Sequence, residues 1–195
     1  MKTRSTTGLR RFQLRLMYGN SYYIERIQRL EAIIKQKPRT VHIELIGTGE
    51  IPPDVALLMR SILVERSPRT RLVTNARSSL QGGSVLVWLL GDRRLIRNDA
   101  RVYFRRVELP DDIDADKIEN WKDLRYRDSF SEFDPEDGDY ARVLQHIDEY
   151  LPVKELAGRL IGVRVLRQFG LVENEALDHF LANVFGKSDG TLVPR

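Results

Sequence analysis

The chain has 195 residues, 42% of them hydrophobic and 31% charged, and it contains no cysteine. Such a chain reads as a soluble globular domain with room for a sizeable core. The missing cysteine excludes disulfides, thiolate metal ligands and a cysteine nucleophile. No apolar run reaches the roughly 18 residues of a membrane span, and Arg10, Arg11 and Arg15 interrupt any signal-like apolar stretch. A cytoplasmic location away from membranes is the expectation. No metal-ligand spacing and no cofactor motif stands out, so neither a metal nor a cofactor is expected.

The net charge of +4 is unevenly spread. Residues 1–106 carry 21 Lys/Arg against 8 Asp/Glu, residues 107–140 carry 4 against 13, and the remaining 55 balance at 7 and 7. This divides the chain into a basic domain, an acidic connector and a neutral C-terminal part. Nucleic-acid binding is disfavoured, because the basic residues scatter over every predicted element instead of clustering among aromatics.

Residues 1–9 read as a flexible tail. Arg11 to Met17 alternates apolar and polar, as a half-buried strand does. From Tyr22 to Gln36, Ile24, Ile27, Leu30, Ile33 and Ile34 recur at helical spacing, and Pro38 follows. Val41 to Ile46 is a second strand, stopped by Gly47-Thr48-Gly49. Pro52 and Pro53 open a helix whose apolar positions are Val55, Leu58, Ile62 and Leu63. Arg71 to Thr74 is a third strand. Ser78 or Ser79 would cap the next helix, which runs to about Leu90. Short strands follow at Leu95-Ile96 and at Val102 to Phe104. The alternation of strand and helix predicts an α/β fold with a parallel sheet. Ligands of such folds bind at the carboxyl ends of strands, which directs attention to 47–50 and 75–83.

Residues 107–138 hold Pro110 and Pro135 and read as a long acidic connector. Three amphipathic helices are expected beyond it, over 140–151, 153–167 and 173–185, within a helical extension covering 139–186. They would pack on the first domain or serve an oligomer surface. The tail 187–195 ends in Leu192-Val193-Pro194-Arg195, which resembles a thrombin recognition site left by expression, and it carries no functional weight.

The order and spacing of elements over 10–106 resemble the Clp protease proteolytic subunit and, more broadly, the Clp/crotonase superfamily. Val41-His-Ile-Glu-Leu-Ile-Gly-Thr-Gly-Glu50 stands where that family has a strand and a glycine-rich oxyanion loop. Ser78-Ser-Leu-Gln-Gly-Gly-Ser-Val-Leu-Val-Trp-Leu-Leu-Gly-Asp92 resembles its nucleophile turn and helix. Asn98-Asp-Ala-Arg-Val-Tyr-Phe-Arg105 resembles the strand that ends in its histidine. The resemblance implies a repeated strand–helix core with a C-terminal helical extension, and assembly into rings or trimers. It makes Ser79 the counterpart of the nucleophile, with oxyanion donors near Gly49 or Glu50 and at Leu80, and a pocket including Gly82, Gly83 and Arg105. A one-residue shift of register would move the serine assignment to Ser78 or Leu80.

Arg105 takes the place of the histidine. A guanidinium stays protonated at ordinary pH and cannot act as a general base, and a serine nucleophile needs one. His42, His146 and His179 read as strand or helix-face residues, and Lys154 as a solvated first-turn lysine. Gly82 and Gly83, read as helix-interior residues, would each cost about 1 kcal/mol relative to alanine, which implies close packing or the approach of a ligand.

The reading is therefore a catalytically deficient, Clp protease-like protein that acts as an oligomeric scaffold or a noncatalytic partner subunit, assembling with itself or a related chain. One alternative is a crotonase-like acyl-thioester binder or enzyme with a backbone oxyanion pocket. Another is a serine hydrolase or peptidase that uses Ser79 with a non-standard base.

Overall fold

Alternation along Leu9–Leu16 (β1) buries Phe12, Leu14 and Leu16 and leaves Arg11, Gln13 and Arg15 exposed. In the computed structural model, which describes residues 8–16, 21–47, 50–105 and 137–172, β1 forms one edge of a four-stranded parallel sheet. The other strands are Thr40–Gly47 (β2), Arg71–Ala76 (β3) and Arg93–Ile96 (β5), in the order β1-β2-β3-β5. The register sets Phe12, Ile43 and Thr74 side by side, then Leu14, Leu45 and Ala76, all of them buried. Parallel partners point the same way across a sheet. This row of six is therefore one face, and Arg11, His42 and Val73 belong to the other.

Helices cover the apolar face. Ser21–Lys35 (α1) turns Tyr23, Ile27, Leu30 and Ile34 inward at helical spacing, and is followed by a turn at Lys37, which adopts a positive φ of 49°, ahead of Pro38. Pro53–Val64 (α2) begins on Pro53, whose missing N–H would have no helical partner there anyway. Its inward residues are Val55, Ala56, Met59 and Leu63, while Leu58, expected inside, is 49% exposed. Gly83–Leu89 (α3) is buried at every position and forms the centre of the core.

A second sheet joins Leu80–Gln81 (β4), Arg101–Tyr103 (β6) and Ile161–Gly162 (β7), in the order β4-β6-β7, with β6 and β7 antiparallel. The sequence suggested no strand at either 80–81 or 161–162. Leu80 and Ile161 are fully apolar and become buried by pairing with β6. The helix expected over 153–167 is consequently broken into Val153–Leu156 (α5) and Val163–Gln168 (α6). The break falls at Gly158, which takes a φ of 76° and donates its N–H to Phe104 O at 2.8 Å. Asp137–Asp148 (α4) matches the first expected C-terminal helix and buries Tyr140, Val143, Leu144 and Ile147. Most of the acidic connector and the whole expected helix at 173–185 lie outside the described residues.

Candidate functional site at the strand-to-helix elbow

The helix that should present a nucleophile starts three residues later than the serines suggested. Its N-cap is Gly82, with φ 48° and ψ −120°, and Gly83 is its first residue. That conformation lies in the positive-φ region that L side chains rarely adopt, so glycine is the natural occupant. A Cβ added to Gly82 would also fall 1.5 Å from Glu50 Oε1. The Glu50 carboxyl thus fills the space that a side chain at the elbow would need. Gly83 is held more rigidly, since a Cβ there would lie 2.4 Å from Ile51 O and 2.8 Å from the Ala56 Cβ. The segment at Glu50-Ile51 lies directly on the elbow, and Ile51 and Gly82 form a parallel bridge. The Tyr23 hydroxyl donates to Glu50 O at 3.2 Å and ties this segment to α1. Gly82 and Gly83 are therefore explained by the close approach of the 50–56 segment at the start of a helix. They are not helix-interior residues.

The serines around the elbow are engaged elsewhere. Ser78 donates its hydroxyl to Gly47 O. Ser79 is exposed and sits ahead of β4, where its Oγ accepts the Arg101 N–H at 3.0 Å. Neither serine caps α3. Leu80 lies within β4 opposite Val102, two residues before the helix cap, so the first N–H groups of the helix belong to Gly83 and Ser84. The hydroxyl nearest the elbow in sequence is that of Ser84. It is fully buried, donates to Gln81 O at 2.7 Å and accepts the Gln81 N–H at 2.9 Å. Gly49 lies outside the described residues.

Arg105 stands at the same end of the fold. The ladder sets Gln81 beside Tyr103, and Gly82 donates to Tyr103 O at 3.0 Å, so Arg105 follows just beyond the elbow. Its N–H donates to the Tyr140 hydroxyl at 2.9 Å, and its guanidinium lies 4.7 Å from the centroid of the same ring. That is within cation–π distance. One side chain of α4 thus holds both the backbone and the charge at this position. Val143, Leu144 and Ile147 recur at helical spacing along α4 and are buried; the role of Tyr140 depends on a contact between distant segments that no local pattern reveals.

The other titratable groups are not gathered here. His42 is the third residue of β2, on the face of the sheet shared with Arg11, with Nε2 buried and without a hydrogen-bond partner. Burial holds its pKa below the usual 6.5; Glu44 opposes this, and Arg11 and Arg77 add to it. His146 pairs through Nδ1 with Glu149 Oε1 at 2.8 Å, one turn along the same stretch of chain. Lys154 is exposed in the first turn of α5, and His179 is outside the described residues. Among the described residues no imidazole or lysine hydrogen-bonds to Ser79, and no group of three His, Asp or Glu could hold a metal ion. No helix there is long and apolar enough to cross a membrane.

This architecture, a parallel sheet wound with helices and a small second sheet beneath the elbow, is the Clp/crotonase fold. A point mutant of ClpP1 from Listeria monocytogenes superposes with a TM-score of 0.51 at 12% identity, covering 88% of this chain and 94% of that one. ClpP1 from the same organism gives 0.48 at 12% identity over 87% and 94%. An enoyl-CoA hydratase from Rhodobacter sphaeroides gives 0.49 at 13% identity, over 95% of this chain and 57% of the hydratase. No protein-family model matches the chain, and no curated protein matches it.

Proposed function

We propose that this protein is a noncatalytic member of the Clp/crotonase fold, acting as an oligomeric scaffold or as a partner subunit to related chains. One observation carries the reading: the elbow residue is Gly82, and the Glu50 carboxyl occupies the space where a nucleophilic side chain would stand. A serine hydrolase needs a hydroxyl there, with a base in reach. The serines nearby are committed to backbone groups, and Arg105, locked against Tyr140, cannot accept a proton. The same carboxyl argues against a crotonase-like acyl pocket. A carboxyl that fills the space at the helix start leaves no room there for the oxyanion that such a pocket stabilises.

Assembly is implied by the resemblance to oligomeric folds and is tested by sedimentation velocity on the full chain. A discrete oligomer is the expected result, alone or on mixing with a related subunit, and a strict monomer that captures no related chain contradicts the scaffold reading. Acyl-CoA at millimolar concentration should leave the melting temperature unchanged. A clear upward shift would move the assignment to an acyl-thioester binder.

A further inference from the structure

A parallel sheet brings the amino ends of its strands together, and here that end collects arginine. Leu9, Thr40 and Arg71 are neighbours across β1, β2 and β3. Two open grooves meet at Leu9. One is lined by Arg10, Arg11 and Arg29, with Ile33 and Gln36; the other by Arg39, Arg69 and Arg71, with Thr40. All of these arginines are exposed except Arg10, which is half-buried and reaches Gln36 Oε1 at 3.1 Å. Among the described residues no acidic side chain lines either groove, and none of the six forms an ion pair. Asp92, which lines an adjoining groove with Arg69 and Arg71, pairs with Arg66 at 2.6 Å, and Glu31 pairs with Lys35 at 2.7 Å. Residues that looked scattered along the sequence are thus gathered by topology into one basic surface.

We propose that this surface binds the phosphate backbone of a nucleic acid, without reading its sequence. Six like charges held together with no ion-pair partner among the described residues favour a polyanion. All six are arginine, whose planar fork pairs bidentately with phosphate. A protein partner would call for a buried apolar anchor at the centre of the contact, and among the described residues the lining offers only Leu9 and Ile33. Nucleic-acid interfaces are by contrast polar and strongly positive. Among the described residues the lining holds no aromatic side chain on which bases could stack, so backbone contact is the mode that fits. The surface lies at the opposite end of the eight-residue strands β1 and β2 from the elbow, on the order of 20 Å away at about 3.3 Å per residue. It is thus independent of the proposed loss of catalysis.

The test is fluorescence anisotropy of the full chain with a labelled 20-mer oligothymidylate and a 20-base-pair duplex over a salt series. At about 0.7 per phosphate contact on single strands, six contacts give a slope of log Kd against log salt near 4. Raising salt from about 50 to about 200 mM then weakens binding by on the order of 100-fold. The triple variant Arg39→Ala, Arg69→Ala, Arg71→Ala should bind at least about tenfold more weakly, with the slope reduced by about 2. Arg159→Ala with Arg164→Ala, exposed residues outside the grooves, should bind as the native chain does. All these side chains are exposed, and matching circular dichroism and melting curves verify folding. The proposal is overturned by absence of binding at about 50 mM salt, or by equal loss in the two variants. It is also overturned if polyglutamate of the same length competes as well as the oligonucleotide, which would identify an acidic protein partner. None of these outcomes bears on whether the elbow is catalytic.

Discussion

At Gly82 two constraints act on one residue. The backbone holds φ at 48°, and the Glu50 carboxyl lies where a Cβ would be. Gly82→Ala should lower stability by about 1–3 kcal/mol, the usual cost of holding a side chain in such a conformation. Glu50 is a flexible side chain, so Glu50→Ala should recover part of that loss in the double variant. The non-additivity read from urea melts measures the contact. Gly83→Ala should cost at least as much with no such rescue, because its Cβ meets the Ile51 backbone oxygen. At His42 the sign follows from burial. A folded-state pKa below 6.5 means that the unfolded chain binds the proton first. Stability contributed by the neutral ring is then full above pH 6.5 and declines as pH falls towards the folded-state value. His42→Gln should flatten that part of the stability profile in melts taken across it. The glycine pair was visible in the sequence as something needing an explanation. Its cause, the 50–51 segment lying on the elbow, joins residues about thirty positions apart, and local patterns do not carry that information.

At the level of elements, α3 depends on its neighbours for almost everything. It is seven residues long, too short to be stable alone, and both of its polar side-chain groups are satisfied. Ser84 bonds the Gln81 backbone, and the Trp88 indole donates to Leu95 O at 3.0 Å. Thr74 of β3 donates to Trp88 O at 2.7 Å. The Gly91 N–H also reaches that carbonyl, at 3.3 Å, so Thr74→Val should cost about 0.5–1.5 kcal/mol for the one bond lost, measured by denaturant unfolding. Strand and helix periodicities identified β1, α1, β2, α2 and β3 correctly, because each has a long alternating or helical run. They misplaced the start of α3, since Ser78 and Ser79 look like helix caps, and Leu80-Gln81 is too short to register as a strand. They also joined α5 to α6, because the apolar spacing continues through a break that Gly158 makes with Phe104 O.

At the scale of the whole molecule, the fold separates two surfaces along the strand axis. The carboxyl ends carry the elbow, closed by Glu50 and flanked by Arg105 on Tyr140; the amino ends carry the arginine grooves. The architecture was legible from the order of elements and from the stretches around 41–50, 78–92 and 98–105, even at 12% identity to the ClpP1 mutant. The site was less so. The resemblance placed Arg105 at the histidine position from the sequence alone, whereas the elbow at Gly82 required the strand β4 to be seen. Charge told a similar story, since residues spread through the first 71 positions meet at one edge only after the chain is wound.

The central claim is that no hydroxyl at this elbow is activated. The measurement is labelling by a fluorophosphonate serine-hydrolase probe, with the folded native chain beside Ser79→Ala and Ser84→Ala. The account predicts no labelling of any of the three, with denatured protein as the background. Labelling of the native chain that disappears in either variant would contradict it, and would mean that a serine near Gly82 is activated despite Arg105.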